Sequence, residues 1–123
     1  MTATRIEPMN HTCLLVKGSV ASHGLAAAHL VIYTDGRFAI GDTLREAIVY
    51  VRDAFTPEIA IRCQLEHASG IITSRGGILS HAASLTREAH IPCLMGVGNL
   101  SDIGPTTWAS IVTPAATAHL WQR

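Results

Sequence analysis

Lysine is almost missing from this sequence: eight of the nine basic residues are arginine, and Lys17 is the one lysine. A Schiff-base or phosphate-loop lysine therefore has a single candidate, and no Gly-Lys-Ser/Thr closes a glycine loop, which excludes the P-loop reading. Neither sign of charge is in excess, because 9 basic residues balance 9 acidic ones at a formal net charge of zero. Such a balance leaves no electrostatic footprint for nucleic acid or an anionic membrane surface. Cysteine is sparse and odd in number, at Cys13, Cys63 and Cys93, with no Cys-x-x-Cys pair. A disulfide framework or structural zinc site is not expected; reduced thiols packed as small apolar residues are. The first ten residues, MTATRIEPMN, lack the apolar run of a signal peptide, and no long apolar run occurs anywhere. Neither a leader nor a membrane span is expected, and a cytoplasmic location follows. What the chain does have is 48% apolar residues against 15% charged over 123 positions, enough for one core and too apolar for a disordered chain.

No repeat or Pro/Gly/Ser linker divides the chain, so the expected organisation is a loose arm over residues 1–12 and a single domain over 13–123. Strands are expected at Cys13–Val20 and Ala26–Tyr33, the second ended by the turn dipeptide Asp35-Gly36, and at Ile48–Val51. Thr56-Pro57-Glu58 is a helix start, with a capping hydroxyl, a proline in the first turn and an acid near the positive end of the dipole. That helix should run to about His67 with Ile59, Ala60 and Cys63 inward. Ile71–Thr73 reads as a buried strand, and a second helix is expected from Ser80 to Ala89 with Ala82, Leu85 and Ala89 as its buried stripe. Ile91-Pro92 ends it, Cys93–Met95 is another buried strand, and weaker strands are expected near Trp108–Val112 and Ala118–Trp121. Two strands joined by a helix make a parallel crossover, and the antiparallel first half would form a second layer. The fold class is α/β with mixed parallel and antiparallel sheets.

The segment Ile72–Arg87, ITSRGGILSHAASLTR, carries the chemistry. A strand delivers Thr73 to a turn, where Gly76 and Gly77 permit positive φ and close approach of a ligand to the backbone. Ser80 is a preferred N-cap and places His81 in the first helical turn, where free N–H groups and the macrodipole favour an anion. A histidine there is well placed to carry a phosphoryl group. Ser80 and His81 diverge by about 100° on a helix, so a Ser–His hydrolase pair is a poor reading. The other six histidines show no ligand spacing, and no metal site is expected.

Thr-x-x-Gly-Gly-x-x-Ser-His-Ala-Ala-x-x-x-Arg, filled by Thr73, Gly76, Gly77, Ser80, His81, Ala82, Ala83 and Arg87, resembles the signature of the swivelling phosphohistidine domain of PEP-utilising enzymes. That family includes pyruvate phosphate dikinase, phosphoenolpyruvate (PEP) synthase, enzyme I of the sugar phosphotransferase system and rifampin phosphotransferase. Ile91-Pro92 with Gly96-Val97-Gly98 is similar to the continuation of the family pattern, and Gly18–Ala26 to its upstream Ser-Pro-Gly segment. The resemblance implies a swivelling β/β/α three-layer domain in which His81 is phosphorylated. It further implies that Thr73 bonds the imidazole or phosphoryl oxygens, and that Gly76, Gly77 and the backbone after Ser80 shape the phosphate loop. Arg75 in that loop is a candidate for transient phosphate contact. Arg87 lies about 240° around the helix from His81, so a structural or partner-docking salt bridge stands beside a phosphate contact as its expected role.

Four departures stand out: His23 replaces the proline of Ser-Pro-Gly, Leu79 stands where a threonine often precedes Ser-His, and Ser84 and Thr86 replace aliphatic and small residues. Ser84, one turn from His81, could supply the missing hydroxyl. The closing Asp-Gly-containing strands are hard to find in SDIGPTTWASIVTPAATAHLW, which suggests a degenerate last hairpin. The implied function is a free-standing phosphocarrier, a non-autonomous component of a dikinase-like phosphotransferase. ATP or PEP and Mg2+ would then be bound at partner sites, an ATP-grasp protein or a PEP/pyruvate barrel, with no cofactor held by this chain. The alternatives are a non-catalytic regulatory module that kept the fold and a swivel-domain dehydratase subunit, the latter having no need of a Gly-Gly-x-x-Ser-His loop.

Overall fold

A computed structural model describes residues 2–6, 13–38, 43–100, 103 and 107–122. Its strands in chain order are β1 (Thr2–Ile6), β2 (Cys13–Lys17), β3 (Ser19–Ser22), β4 (Leu25–Thr34), β5 (Arg37–Phe38), β6 (Ile48–Val51), β7 (Gly70–Thr73), β8 (Cys93–Met95), β9 (Thr107–Val112) and β10 (Thr117–Gln122). Helices α1 (Pro57–Leu65) and α2 (His81–Glu88) fall between β6 and β7 and between β7 and β8. Hydrogen bonding runs in the order β1-β2-β10-β9-β4-β6-β7-β8-β3, with β5 on the side of β4. The expected α/β class with a mixed sheet is what forms. Within the segment expected to be a loose arm, Thr2–Ile6 pair antiparallel with β2.

The ten-residue β4 joins the two kinds of sheet. Its first half, Leu25–His29, pairs antiparallel with β9, and Leu30–Tyr33 pair parallel with β6. From β6 the sheet continues parallel through β7 to β8, so each α-helix is a crossover of the kind expected between parallel strands. β6, β7 and β8 are buried along their whole length, as parallel strands covered on both faces must be. On one face Val49, Val51, Ile71 and Cys93 pack with Ile59, Cys63 and Ala83 of the helices. On the other, Ile48, Tyr50, Ile72 and Leu94 pack with Val16, Ala109, Ile111, Ala118 and Leu120 of the antiparallel strands.

Both helices start and end for reasons legible in their residues. The Thr56 hydroxyl accepts from the Ile59 amide, with Pro57 in the first turn; the Ser80 hydroxyl accepts from the Ala83 amide at 3.1 Å. At the far ends His67 (φ 60) and His90 (φ 56) adopt the left-handed conformation. The next amides, of Ala68 and Ile91, then reach back to the Cys63 and Thr86 carbonyls at 2.9 and 3.0 Å, a Schellman closure at each helix.

Three expectations are corrected. The strand expected over Cys13–Val20 is two strands in different halves of the sheet, broken at Gly18. A Cβ there would lie 2.5 Å from the Met95 carbonyl oxygen, so the chain crosses where only glycine fits. The buried stripe of α2 is Ala82, Ala83 and Thr86, with Leu85 and Ala89 half-buried. The helix is gripped by β3 as well as by α1, and Thr86 can be buried because its hydroxyl donates to the Ala83 carbonyl at 2.6 Å. The last hairpin is not degenerate: β9 and β10 pair over six residues. Their connection is a 3-10 turn at Thr113–Ala115 closed by Ala116 in the left-handed region, which reverses the chain without Asp-Gly.

Candidate functional site

The C-terminal ends of β6, β7 and β8 form one rim, and the loop 74–80 leaves from its centre. Ser74 anchors the departure: its amide donates to the Val51 carbonyl at 3.0 Å and its hydroxyl to the Arg52 carbonyl at 2.7 Å. After β8 the chain returns across the same point, with the Val97 amide on the Thr73 carbonyl (3.1 Å) and the Gly98 amide on the Ser74 carbonyl (2.8 Å). The rim is thus tied on both sides, and beyond Ser74 the loop rises into solvent. Open ends of parallel strands of this kind are where α/β folds place ligands.

Arg75, Gly76, Gly77, Ile78 and Leu79 are all exposed, Leu79 at 94%. Gly76 has φ 128, and a Cβ there would lie 2.6 Å from the Met95 methyl carbon, so the backbone rests on Met95 in a conformation that disfavours any side chain. The loop closes with the Ser80 amide donating to the Gly77 carbonyl at 3.0 Å, and Ser80 caps α2. His81 is the first helical residue and is exposed. Among the described residues the amides of His81 and Ala82 donate to no acceptor, as first-turn amides of a helix are left free to do. An exposed imidazole, two free N–H donors and the positive end of a helix dipole therefore meet at one point, an arrangement suited to an anion.

The remaining candidate residues are placed differently from one another. Thr73 is completely buried, and its hydroxyl donates to the Arg75 carbonyl at 2.9 Å. It supports the loop from beneath and makes no hydrogen bond to the unmodified His81. The hydroxyl beside the imidazole is that of Ser84, with Oγ 3.4 Å from His81 Nδ1 and donating to the His81 carbonyl at 2.6 Å. The Arg87 guanidinium donates to the Ala21 carbonyl in β3 and to the Ile78 carbonyl in the loop, both at 3.0 Å. It is a clamp between the loop, α2 and the edge strand. The Arg75 side chain is exposed and makes no hydrogen bond or ion pair among the described residues. The seat on Met95 and the anchor through Ser74 carry no signal in the sequence, since each depends on which strands become neighbours.

Two other nucleophiles lie in the core between the helices and the sheet, Cys63 on the inner face of α1 and Cys93 in β8. Burial pushes the Cys63 thiol up to about 12, assisted by the nearby Glu66 carboxylate. Burial does the same to Cys93, against the neighbouring Thr86 hydroxyl, which pulls the other way. Neither is a thiolate near neutrality, so neither is an attacking group. Among the described residues no cluster of three His, Cys, Asp or Glu side chains could hold a metal ion, and no helix is long and apolar enough to cross a membrane.

Comparison with known proteins gives the same segment a family context. The profile described as "PEP-utilising enzyme, mobile domain" matches residues 44–114. The probable phosphoenolpyruvate synthase of Methanothermobacter thermautotrophicus is 37% identical over 94 residues, which cover 73% of this chain and 13% of that protein. The pyruvate, phosphate dikinase of Rhizobium meliloti is 33% identical over 95 residues, 77% of this chain and 10% of that protein. The chain thus spans about an eighth or less of the length of these relatives. Among solved structures, Thermococcus kodakaraensis aconitase X matches with a TM-score of 0.65 at 14% identity, over 86% of this chain and 97% of that one; at that identity the likeness is one of fold.

Proposed function

The chain belongs to the family of PEP-utilising enzyme mobile domains, and on that premise we propose that it is a phosphohistidine carrier in which His81 accepts and delivers a phosphoryl group. The observation that carries this reading is the exposed imidazole at the open N-terminus of α2, above a glycine loop fastened to the ends of three parallel strands. A nitrogen lone pair of His81 attacks the phosphorus of an ATP phosphoryl group or of PEP. The P–O bond to the leaving group breaks and a phosphoramidate forms. An acceptor oxygen then attacks the same phosphorus in line, and the N–P electron pair returns to the imidazole. The His81 and Ala82 amides and the dipole of α2 stabilise the added charge. Gly76 and Gly77 let the donor approach the backbone, and Arg75 is free to reach phosphoryl oxygens during transfer. Ser80 and Arg87 hold the loop and helix start in register, and Thr73 holds the loop from below.

Donor and acceptor chemistry belongs to partner proteins or domains, an ATP-grasp unit and a PEP/pyruvate-type barrel, which also bind Mg2+. The small share of the relatives' length that this chain matches supports that division. The two apolar clusters on opposite faces of β6–β8 support the swivelling β/β/α three-layer arrangement, a rigid body that presents His81 alternately to two sites. Three free cysteines among the described residues suit the reducing cytoplasm in which such donors occur.

The test is intact-mass spectrometry of the protein incubated with an ATP-grasp or PEP-barrel partner and ATP or PEP. The expected result is a gain of one acid-labile, alkali-stable phosphoryl group, absent from His81→Ala. Absence of any gain on the wild-type protein with every donor overturns the reading.

A further inference from the structure

His81 and Ser84 stand one helical turn apart, and their geometry bears on which imidazole nitrogen is free to react. A serine hydroxyl has a single proton to donate. The Ser84 hydroxyl lies 2.6 Å from the His81 carbonyl oxygen and 3.4 Å from His81 Nδ1. The short contact takes the proton, the local bond that serines in helices commonly make to the preceding turn, so Oγ turns a lone pair toward Nδ1. If Nδ1 carries hydrogen it meets an acceptor; if it carries its own lone pair, two lone pairs face each other.

We propose that Ser84 is a positioning residue that holds the neutral His81 imidazole as its Nδ1–H tautomer, so that Nε2 carries the free lone pair. In the transfer step the Nε2 lone pair forms the N–P bond while the P–O bond to the donor breaks, its electron pair leaving on the donor oxygen. Nδ1 keeps its proton throughout. The ring that results is cationic, and its Nδ1–H donates to Ser84 Oγ as a charge-assisted bond. When the acceptor oxygen attacks phosphorus, the N–P pair returns to Nε2 and the starting tautomer is restored. The Nδ1–H preference is a property of the unmodified protein; only its use in transfer rests on the carrier reading.

Nitrogen-15 NMR of histidine-ring-labelled protein at about pH 9, where ordinary imidazoles are neutral, reads the tautomer directly. The wild-type His81 ring is expected to be mostly Nδ1–H. Ser84→Ala shifts the ratio of Nδ1–H to Nε2–H down by about two- to fivefold, the worth of one modest hydrogen bond, and Ser84→Thr restores it. Alanine is the better helix former, and an unchanged backbone amide spectrum shows that α2 is intact. A wild-type ring that is mostly Nε2–H, or a ratio that Ser84→Ala leaves unchanged, overturns the proposal. If the tautomer behaves as stated and no donor phosphorylates the protein, the carrier reading fails and the role of Ser84 in the tautomer stands. Phosphorylation of His81 with an unchanged ratio in Ser84→Ala has the opposite meaning.

Discussion

The open N-terminus of α2 and the sealed core between the helices and the sheet hold the candidate nucleophiles in opposite environments. At the terminus His81 is exposed beside two free amides. In the core between the helices and the sheet, Cys63 of α1 and Cys93 of β8 are fully buried, with thiols pushed up to about 12 by desolvation. Thiolates are the stronger nucleophiles in general, yet here the cysteines serve as core volume and the weaker imidazole meets solvent. Access and the donors around a group, more than its intrinsic reactivity, decide which one the fold makes available.

The largest expected effect separates the two regions outright. Replacing His81 by alanine should abolish phosphoryl uptake and leave the thermal midpoint nearly unchanged. Cys63→Ala and Cys93→Ala should each keep uptake while lowering stability by about 1–2 kcal/mol for the lost buried volume. Intact mass and thermal melts on the three variants decide it; loss of uptake in a folded cysteine variant would break the comparison.

Next in size is a pH effect confined to the core. The folded state raises both thiols from their ordinary value of 9.0 to about 12. The protonated form is therefore the one the fold favours. That contribution is complete below about pH 9 and is lost as pH rises from there toward 12. Each thiol should cost about 1 kcal/mol of stability by pH 10. Denaturant midpoints at pH 8 and pH 10 are expected to diverge in the wild type and to converge partly in either alanine variant.

The cap at the terminus comes third. Ser80→Ala removes the acceptor of the Ala83 amide and should cost about 1 kcal/mol, with slower phosphoryl uptake because the turn carrying His81 frays. Native-state hydrogen exchange at Ala83 and Ser84 would show the fraying; unchanged protection there would dissociate the cap from the site. The smallest effect is a gain at the other end of the helix. His90 sits at φ 56 where glycine is the usual residue, so His90→Gly should stabilise by about 0.5–1 kcal/mol and leave uptake unchanged.

Much of this was readable from residues whose signals are local. Thr56-Pro57-Glu58 and Ser80 mark helix starts through caps that need only the next three residues, and both form as read. The buried strands Ile48–Val51, Ile71–Thr73 and Cys93–Met95 announce themselves as short apolar runs, and all three lie in the parallel sheet. What escaped depends on contacts distant in sequence. Gly18 splits a single apolar run between two halves of the sheet because the Met95 carbonyl passes beside it. Arg87 could be placed on the far side of the helix from His81, but not upon Ala21, 66 residues earlier. The final hairpin was obscured for a different reason, since its reversal uses Thr113-Pro114-Ala115 and a left-handed Ala116 in place of an Asp-Gly pair.

The central claim is that one imidazole at the start of α2 carries the phosphoryl group, and trypsin isolates it. Cleavage after Arg75 and Arg87 yields a peptide, GGILSHAASLTR, with His81 as its one histidine beside Ser80, Ser84 and Thr86. After partner-driven phosphorylation, mapping at alkaline pH should place one acid-labile phosphoryl group on His81 of that peptide. An acid-stable phosphate on its serines or threonine, or a label on a peptide carrying another histidine, would contradict the account.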